Sequence, residues 1–277
     1  MIVNIIYPKD GWYLQYTAEQ LIKRLDANEQ NRAPTKKIKH LFSRKEPFIT
    51  TTKCELLHNQ RKTINYYVNY VLFKNKTSDI DVGHFTHIEP NGLFDQIAKQ
   101  VDYSICMSEK YVTHLKENGI NNCCCITPGI DPFFKPKLVL GWFGRFSSYG
   151  YRKGKDLFKK VQQLDFVDLK QYSNLPRKEL PKAYNKCDYI LVTSRYEGGP
   201  MCILEGIACG KKIICPLDVG FANEFKKAIV PYQNSNWTSL LYTLTHLYKE
   251  KQTIASLVEK FTWDEYARKH IELFKKL

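Results

Sequence analysis

The chain has 277 residues, of which 43% are hydrophobic and 25% charged, and its formal net charge is +14. Those fractions exclude a disordered or fibrous chain, and the length suits one large domain or two small ones. The apolar runs near 126–134 and 137–143 are broken by Pro, Gly or charge well short of the roughly 20 residues of a membrane-spanning helix. The positive charge favours an acidic partner: nucleic acid, anionic lipid headgroups or a phosphorylated substrate. It concentrates in Arg32, Lys36, Lys37, Lys39, Arg44, Lys45, Lys53, Arg61 and Lys62, against Glu46 and Glu55 in the same stretch.

Strand and helix signals alternate from the start, as in layered α/β proteins. Residues 1–7 read as a buried strand, with no basic leader or small-residue cleavage site, so a cytosolic protein is expected. Pro8-Lys9-Asp10-Gly11 is a turn, and 13–25 carry Leu14, Ala18, Leu21, Ile22 and Leu25 at helical spacing. Strand, glycine turn and helix open a Rossmann-like half. Residues 48–52 fit a strand, and 64–73 fit a helix or a strand. Beyond them, 82–87 end a strand, 92–100 form a helix, 103–107 a strand, 109–118 a helix and 123–126 a strand. Nine cysteines without a CxxC pair read as small buried hydrophobes in a reducing compartment, and no metal site is expected.

Asp131-Pro132-Phe133-Phe134-Lys135-Pro136 marks a domain boundary, because two prolines disfavour regular structure. A second α/β series follows: strand 138–143, helix 156–164, strand 167–171, helix 181–185, strand 189–193, helix 201–209 and strand 212–215. Thr262-Trp263-Asp264-Glu265 spells a capping box, in which the Thr hydroxyl caps the Glu amide and the Glu reaches back; the final helix runs over 263–276.

Two motifs carry chemistry. In Ser194-Arg195-Tyr196-Glu197-Gly198-Gly199-Pro200-Met201-Cys202-Ile203-Leu204-Glu205, two carboxylates lie eight residues apart around a Gly-Gly-Pro turn. Pro200 suits the first helical position, and the free N–H groups of a helix start favour phosphate or sugar oxygens. The carboxylates suit the vicinal hydroxyls of a sugar nucleotide. In Gly141-Trp142-Phe143-Gly144-Arg145, followed by Arg152-Lys153-Gly154, Arg145 supplies a planar fork and Lys153 a point charge. Together they form a clamp for a diphosphate. Asp79-Ile80-Asp81 has the DxD form of a metal-binding motif, but it follows a polar loop instead of ending an apolar strand, so the metal reading is set aside.

With these motifs in order, the segment 138–205 resembles the C-terminal domain of the family 4 retaining glycosyltransferases, which combine a Gly-Arg, a Lys-Gly and a Glu-x7-Glu. Met107-Ser108-Glu109, Ile126-Thr127-Pro128-Gly129-Ile130-Asp131 and the ending Phe261-Thr262-Trp263-Asp264 extend the likeness. The resemblance implies a GT-B fold: two Rossmann-like domains facing a central cleft, with a C-terminal helix crossing back to the first. The domains would be 1–133 for the acceptor, 134–260 for the nucleotide sugar, and 261–277 for the returning helix. It implies that Arg145 and Lys153 grip the donor diphosphate and that Glu205 binds the ribose. Glu197 would face the transferred sugar together with the backbone of Gly198, Gly199, Pro200 and Met201, and Asn174 and Leu175 would meet the base. In the first domain His87 would lie near the sugar, with His84 as the reserve, and Gly11 would belong to the phosphate-side loop. Gly154 to Tyr172 is a short interval for the family.

The expected activity is metal-independent, retaining transfer from a nucleotide sugar, with a UDP-sugar favoured, to a saccharide or lipid-linked acceptor at an anionic membrane surface. Two alternatives stay open: glucosylation of modified bases in DNA, as by some viral GT-B enzymes, and a non-catalytic nucleotide or nucleic-acid binder.

Overall fold

In the computed structural model, residues 1–9, 12–30, 40–42, 49–56, 62–146 and 150–277 are described. Gly11 and most of the basic run lie outside them. Of that run only Lys53 and Lys62 are described, and Lys62 donates to the carbonyl of Leu277. The chain divides into two compact units, Met1–Phe133 with Val258–Leu277, and Phe134–Leu257. No helix among the described residues is long and apolar enough to cross a membrane.

The first unit begins β1 (Ile2–Pro8), α1 (Tyr13–Gln30), β2 (His40–Phe42), β3 (Ile49–Glu55) and β4 (Thr63–Tyr67). It continues β5 (Ile80–Phe85), α2 (Leu93–Ala98), β6 (Tyr103–Cys106), α3 (Glu109–Glu117) and β7 (Cys123–Cys125). The strands lie in the order β2-β3-β1-β4-β5-β6-β7. β3 runs antiparallel to β1 and β2, and the remaining pairs are parallel. The connections explain this mixture. β2 to β3 and β3 to β4 are short links, which join antiparallel strands, whereas parallel neighbours need a long crossover. The ambiguous segment after residue 63 resolves into β4 and a 3-10 turn over Tyr70–Leu72.

Period-two burial along β1 places Val3, Ile5 and Tyr7 in a core with Leu21, Ile22 and Leu25 of α1. The same core receives the last helix, α8 (Trp263–Lys276), numbered after the helices of the second unit. Trp263, Tyr266, Ala267, His270 and Phe274 form its buried stripe at helical spacing. Each large apolar side chain buried there contributes about 1.5–3 kcal/mol. Thr262 caps the helix, its Oγ1 accepting from the Glu265 amide at 3.1 Å. The reciprocal half of the expected box is replaced, since the Glu265 carboxylate lies on Arg268 at 2.6 and 2.7 Å.

A buried polar network joins α8 to the sheet. Nδ1 of His270 lies 2.9 Å from the Tyr266 carbonyl, which can only accept, so the proton is on Nδ1. Nε2 then accepts from the Tyr66 hydroxyl at 3.0 Å. With its proton spent, the Tyr66 oxygen accepts from Nδ1 of His84 at 3.1 Å and from the Tyr266 hydroxyl at 3.2 Å. Nε2 of His84 is left as a buried lone pair with no partner among the described residues. His84, the reserve for a sugar contact, is thus a neutral core residue at 1% exposure.

The second unit comprises β8 (Leu138–Phe143), α4 (Lys155–Gln162), β9 (Val167–Tyr172), α5 (Leu180–Asn185) and β10 (Tyr189–Leu191). It closes with α6 (Met201–Ala208), β11 (Lys212–Cys215), β12 (Ile229–Pro231) and α7 (Trp237–Ser256). All five strands are parallel, in the order β12-β11-β10-β8-β9. Leu138, Leu140 and Trp142 pack with α4 and α7 on one face. Phe143 packs with Tyr184 of α5 and Ile203 of α6 on the other. The chain therefore leaves β8 toward β9 on one side and returns to β10 on the other. Such a reversal opens a crevice at the carboxyl ends of the strands, where ligands of open α/β sheets bind.

Two predictions follow from these contacts. Burial, with each other's charge as a lesser cause for His84, holds the two histidines low, His84 to about 3 and His270 to about 4, against 6.5 when unfolded. Below pH 6.5 the unfolded chain takes up protons that the native chain refuses, so stability falls with falling pH. The slope is about 1.4 kcal/mol per pH unit per histidine. Thermal melts between pH 7 and 4 should show it, and His84→Asn should reduce it by one proton. In the second unit Gly154 has φ +63°, and a Cβ there would stand 1.9 Å from the Thr193 carbonyl oxygen. Gly154→Ala should cost about 2 kcal/mol or more, read as a fall in Tm.

Candidate functional site

The crevice holds a cavity of about 290 Å3, lined by the ends of β8, β9 and β10 and the start of α6. Seven residues singled out in the sequence border it: Arg145, Lys153, Asn174, Leu175, Pro200, Met201 and Glu205. They come from four separate segments, which only the strand order brings together. Pro200 is the N-terminal cap of α6, one position before its expected place, and the helix starts at Met201.

Lys153 owes its position to its neighbours. Gly154 takes a left-handed conformation and lies against Thr193, just past β10, where no side chain fits. Thr193 Oγ1 donates to the Lys153 carbonyl at 2.7 Å and accepts from the Trp142 indole at 3.0 Å. The Arg195 amide donates to the Arg152 carbonyl at 2.8 Å. The Arg195 guanidinium, only 6% exposed, donates to the Tyr151 carbonyl and to Asp156, each at 2.7 Å. Arg195 also stacks over the Tyr151 ring at 4.2 Å. These bonds tie the segment 151–156 to the segment 193–197.

Glu197 stands beside the cavity and outside its wall. Its carboxylate bonds to Lys153 and, at 2.9 Å, to Arg152. The Ser194 hydroxyl donates to it at 3.3 Å. Burial pushes the Glu197 carboxyl up, but the two cations outweigh that and hold it below the usual carboxylate range. Gly198 and Gly199 also stand off the wall. A Cβ on Gly199 would strike the Phe221 ring at 2.3 Å, so that turn needs glycine for close approach.

Glu205, on α6, accepts from the Tyr184 hydroxyl at 2.8 Å, and Arg177 lies 3.7 Å from its other oxygen. Tyr184 belongs to an aromatic wall: its ring stacks on Phe143 at 3.9 Å, and Phe143 stacks on Tyr172 at 4.8 Å. Arg152, Tyr172 and Tyr184 were missed in the sequence. Arg152 had a signal, because it adjoins Lys153 in the quoted motif. The two tyrosines had none, being far from the motif in the chain.

In the first unit His87 is exposed after β5. Its Nδ1 lies 2.8 Å from Thr86 Oγ1 and its Nε2 lies 2.9 Å from Glu89. The DxD carboxylates are occupied by protein donors: Asp79 accepts from the Thr63 amide at 2.7 Å. The buried Asp81 accepts from Tyr67, Ser78 and Thr77 at 3.1 to 3.2 Å. Among the described residues no cluster of three metal-ligating side chains occurs.

Residues 145–270 match the family described as Glycosyl transferases group 1. Similar solved structures include sucrose-phosphate synthase from Thermosynechococcus elongatus, at 13% identity over 77% of this chain and 73% of that one, TM-score 0.35. Anabaena HepE in complex with UDP is 15% identical over 77% and 79%, TM-score 0.32. A TarM variant of S. aureus, in complex with fondaparinux, α-GlcNAc-glycerol and UDP, is 14% identical over 76% and 55%, TM-score 0.33. No curated protein matches the sequence. The family match begins at the arginine that lines the cavity and runs into the last helix of the first unit, so the segment that carries Lys153, Glu197 and Glu205 is similar to the group 1 glycosyl transferases.

Proposed function

We infer that the chain moves a sugar, with retention and without a metal, from a nucleotide sugar to a hydroxyl of a saccharide or lipid-linked acceptor. A UDP-sugar is the favoured donor. The observation that carries this reading is the single cavity bordered by Arg145, Lys153, the α6 start and Glu205, with Glu197 bound to Lys153 at its side. Cations at a helix start suit a diphosphate, and a carboxylate suits vicinal hydroxyls. HepE and TarM have both been solved with UDP bound, which agrees with the donor class.

The chemistry assigned to these residues is leaving-group departure. The bond from the anomeric carbon to the phosphate oxygen breaks, and negative charge gathers on the nucleoside diphosphate. Arg145 and Lys153 stabilise that charge more in the transition state than in the ground state, which is what accelerates the step. The acceptor oxygen bonds to the anomeric carbon from the face that the diphosphate leaves. Its proton passes to the departing phosphate oxygen, so no separate protein base is required. Glu205 holds the ribose, Asn174 and Leu175 flank the base, and Glu197 with the 198–201 backbone binds the transferred sugar. His87 is assigned a hydrogen bond to that sugar, and Gly11 the phosphate-side loop.

The test is transfer and slow donor hydrolysis, assayed with a panel of nucleotide sugars. Lys153→Ala and Glu197→Ala should each lower kcat/KM by about 100-fold or more while the melting curves remain cooperative. Full activity in both variants would refute the assignment, and a donor that binds without turnover or hydrolysis would favour the non-catalytic binder.

A further inference from the structure

Glu205 has two oxygens in different circumstances. Oε2 accepts from the Tyr184 hydroxyl at 2.8 Å. Oε1 has Arg177 at 3.7 Å, beyond hydrogen-bond range, and the Arg177 side chain is 84% exposed. The Tyr184 ring is 1% exposed and stacked on Phe143 with 18° between planes, so it cannot swing away without breaking the wall. Tyr184 and Glu205 both border the cavity, from different helices, α5 and α6.

We propose that Tyr184 is a positioning residue: its fixed hydroxyl holds Oε2 of Glu205 and leaves Oε1 as the acceptor presented to the donor's ribose hydroxyls. A glutamate side chain has three torsions and loses rotamer freedom when it binds. A buried hydroxyl that donates to one oxygen meets part of that loss before the ligand arrives. The bond to an ionised acceptor is also stronger than a neutral one. Burial, and next the Glu205 carboxylate, push the Tyr184 phenol up, so it remains a donor throughout the neutral range. The proposal rests on the ribose role assigned to Glu205, and the experiment separates the two.

Affinities of ribo- and 2′-deoxyribonucleoside diphosphates of each base are measured by calorimetry on the wild-type chain and on Tyr184→Phe, for the base that binds most tightly. The wild type should prefer the ribo form by about tenfold, and Tyr184→Phe should shrink that preference below about threefold. Binding of the deoxy form should barely change. In turnover, the variant should raise the donor KM and leave kcat nearly intact, because the ribose contact is equal in ground and transition states. A merely structural role would weaken both forms alike. If Tyr184→Phe does not fold, 4-fluorophenylalanine at position 184 fills the hydroxyl's volume without donating, and the same loss of preference is expected. A wild type that prefers ribose and a variant that keeps the preference would overturn the positioning role alone. A wild type with no preference for any base would overturn the ribose assignment and this proposal with it.

Discussion

The second unit depends on one close approach, the backbone of Gly154 against the carbonyl of Thr193. Any side chain at 154 would force apart the segments 151–156 and 193–197, and with them Lys153 and Glu197. The approach is held by hydrogen bonds on both sides. The Thr193 hydroxyl bonds to the Lys153 carbonyl, and the Arg195 amide to that of Arg152. The Arg195 side chain, almost wholly buried, spans Tyr151 and Asp156. A buried guanidinium that lost these acceptors would be costly, so the two loops keep one relative position. The Lys-Gly pair is thus a geometric device as much as a charge: the glycine permits the contact that puts the lysine beside the carboxylate.

Much of this was legible in the sequence because chemistry and turn geometry share residues there. Gly154, Gly199 and Pro200 punctuate the chain, and the functional side chains stand next to them. The hydrophobic periods of 138–143 and 263–276 were strong enough to mark β8 and α8. What remained hidden depends on strand order. Tyr184 meets Glu205 only because the chain doubles back across β8 and β10, and no local period records that reversal. Glu197 and Glu205 were read as a pair, yet Glu205 borders the cavity while Glu197 is turned to Arg152 and Lys153. Residues 48–52 were read as a strand without a direction, and the antiparallel pairing of β3 with β1 and β2 is fixed by strand order, which no local period records.

The two units use polar burial for different ends. In the first, Tyr66, His84, Tyr266 and His270 bind the returning helix to the sheet through a chain of hydrogen bonds whose direction is set by one carbonyl. That network is neutral, and it pins register: α8 cannot slide by a turn without stranding buried hydroxyls and ring nitrogens. In the second unit the buried polar residues are Thr193, Ser194 and Arg195; the first and last tie two loops together, and Ser194 borders the cavity and donates to Glu197.

The balance of charge at the rim of that cavity decides what it can hold. Arg152 and Lys153 both bond to one carboxylate, Glu197, and Glu205 stands apart beside the aromatic wall. A carboxylate with two cations leaves neither fully neutralised. On the proposed reading, a diphosphate that took Lys153 would leave Arg152 on Glu197, so the carboxylate would not be stranded. An arrangement with one cation would have to break its only ion pair to bind the anion, at the cost of an uncompensated charge in a half-buried position. The second cation removes that conflict, which is why Arg152, next to Lys153 in the sequence, belongs with the proposed site.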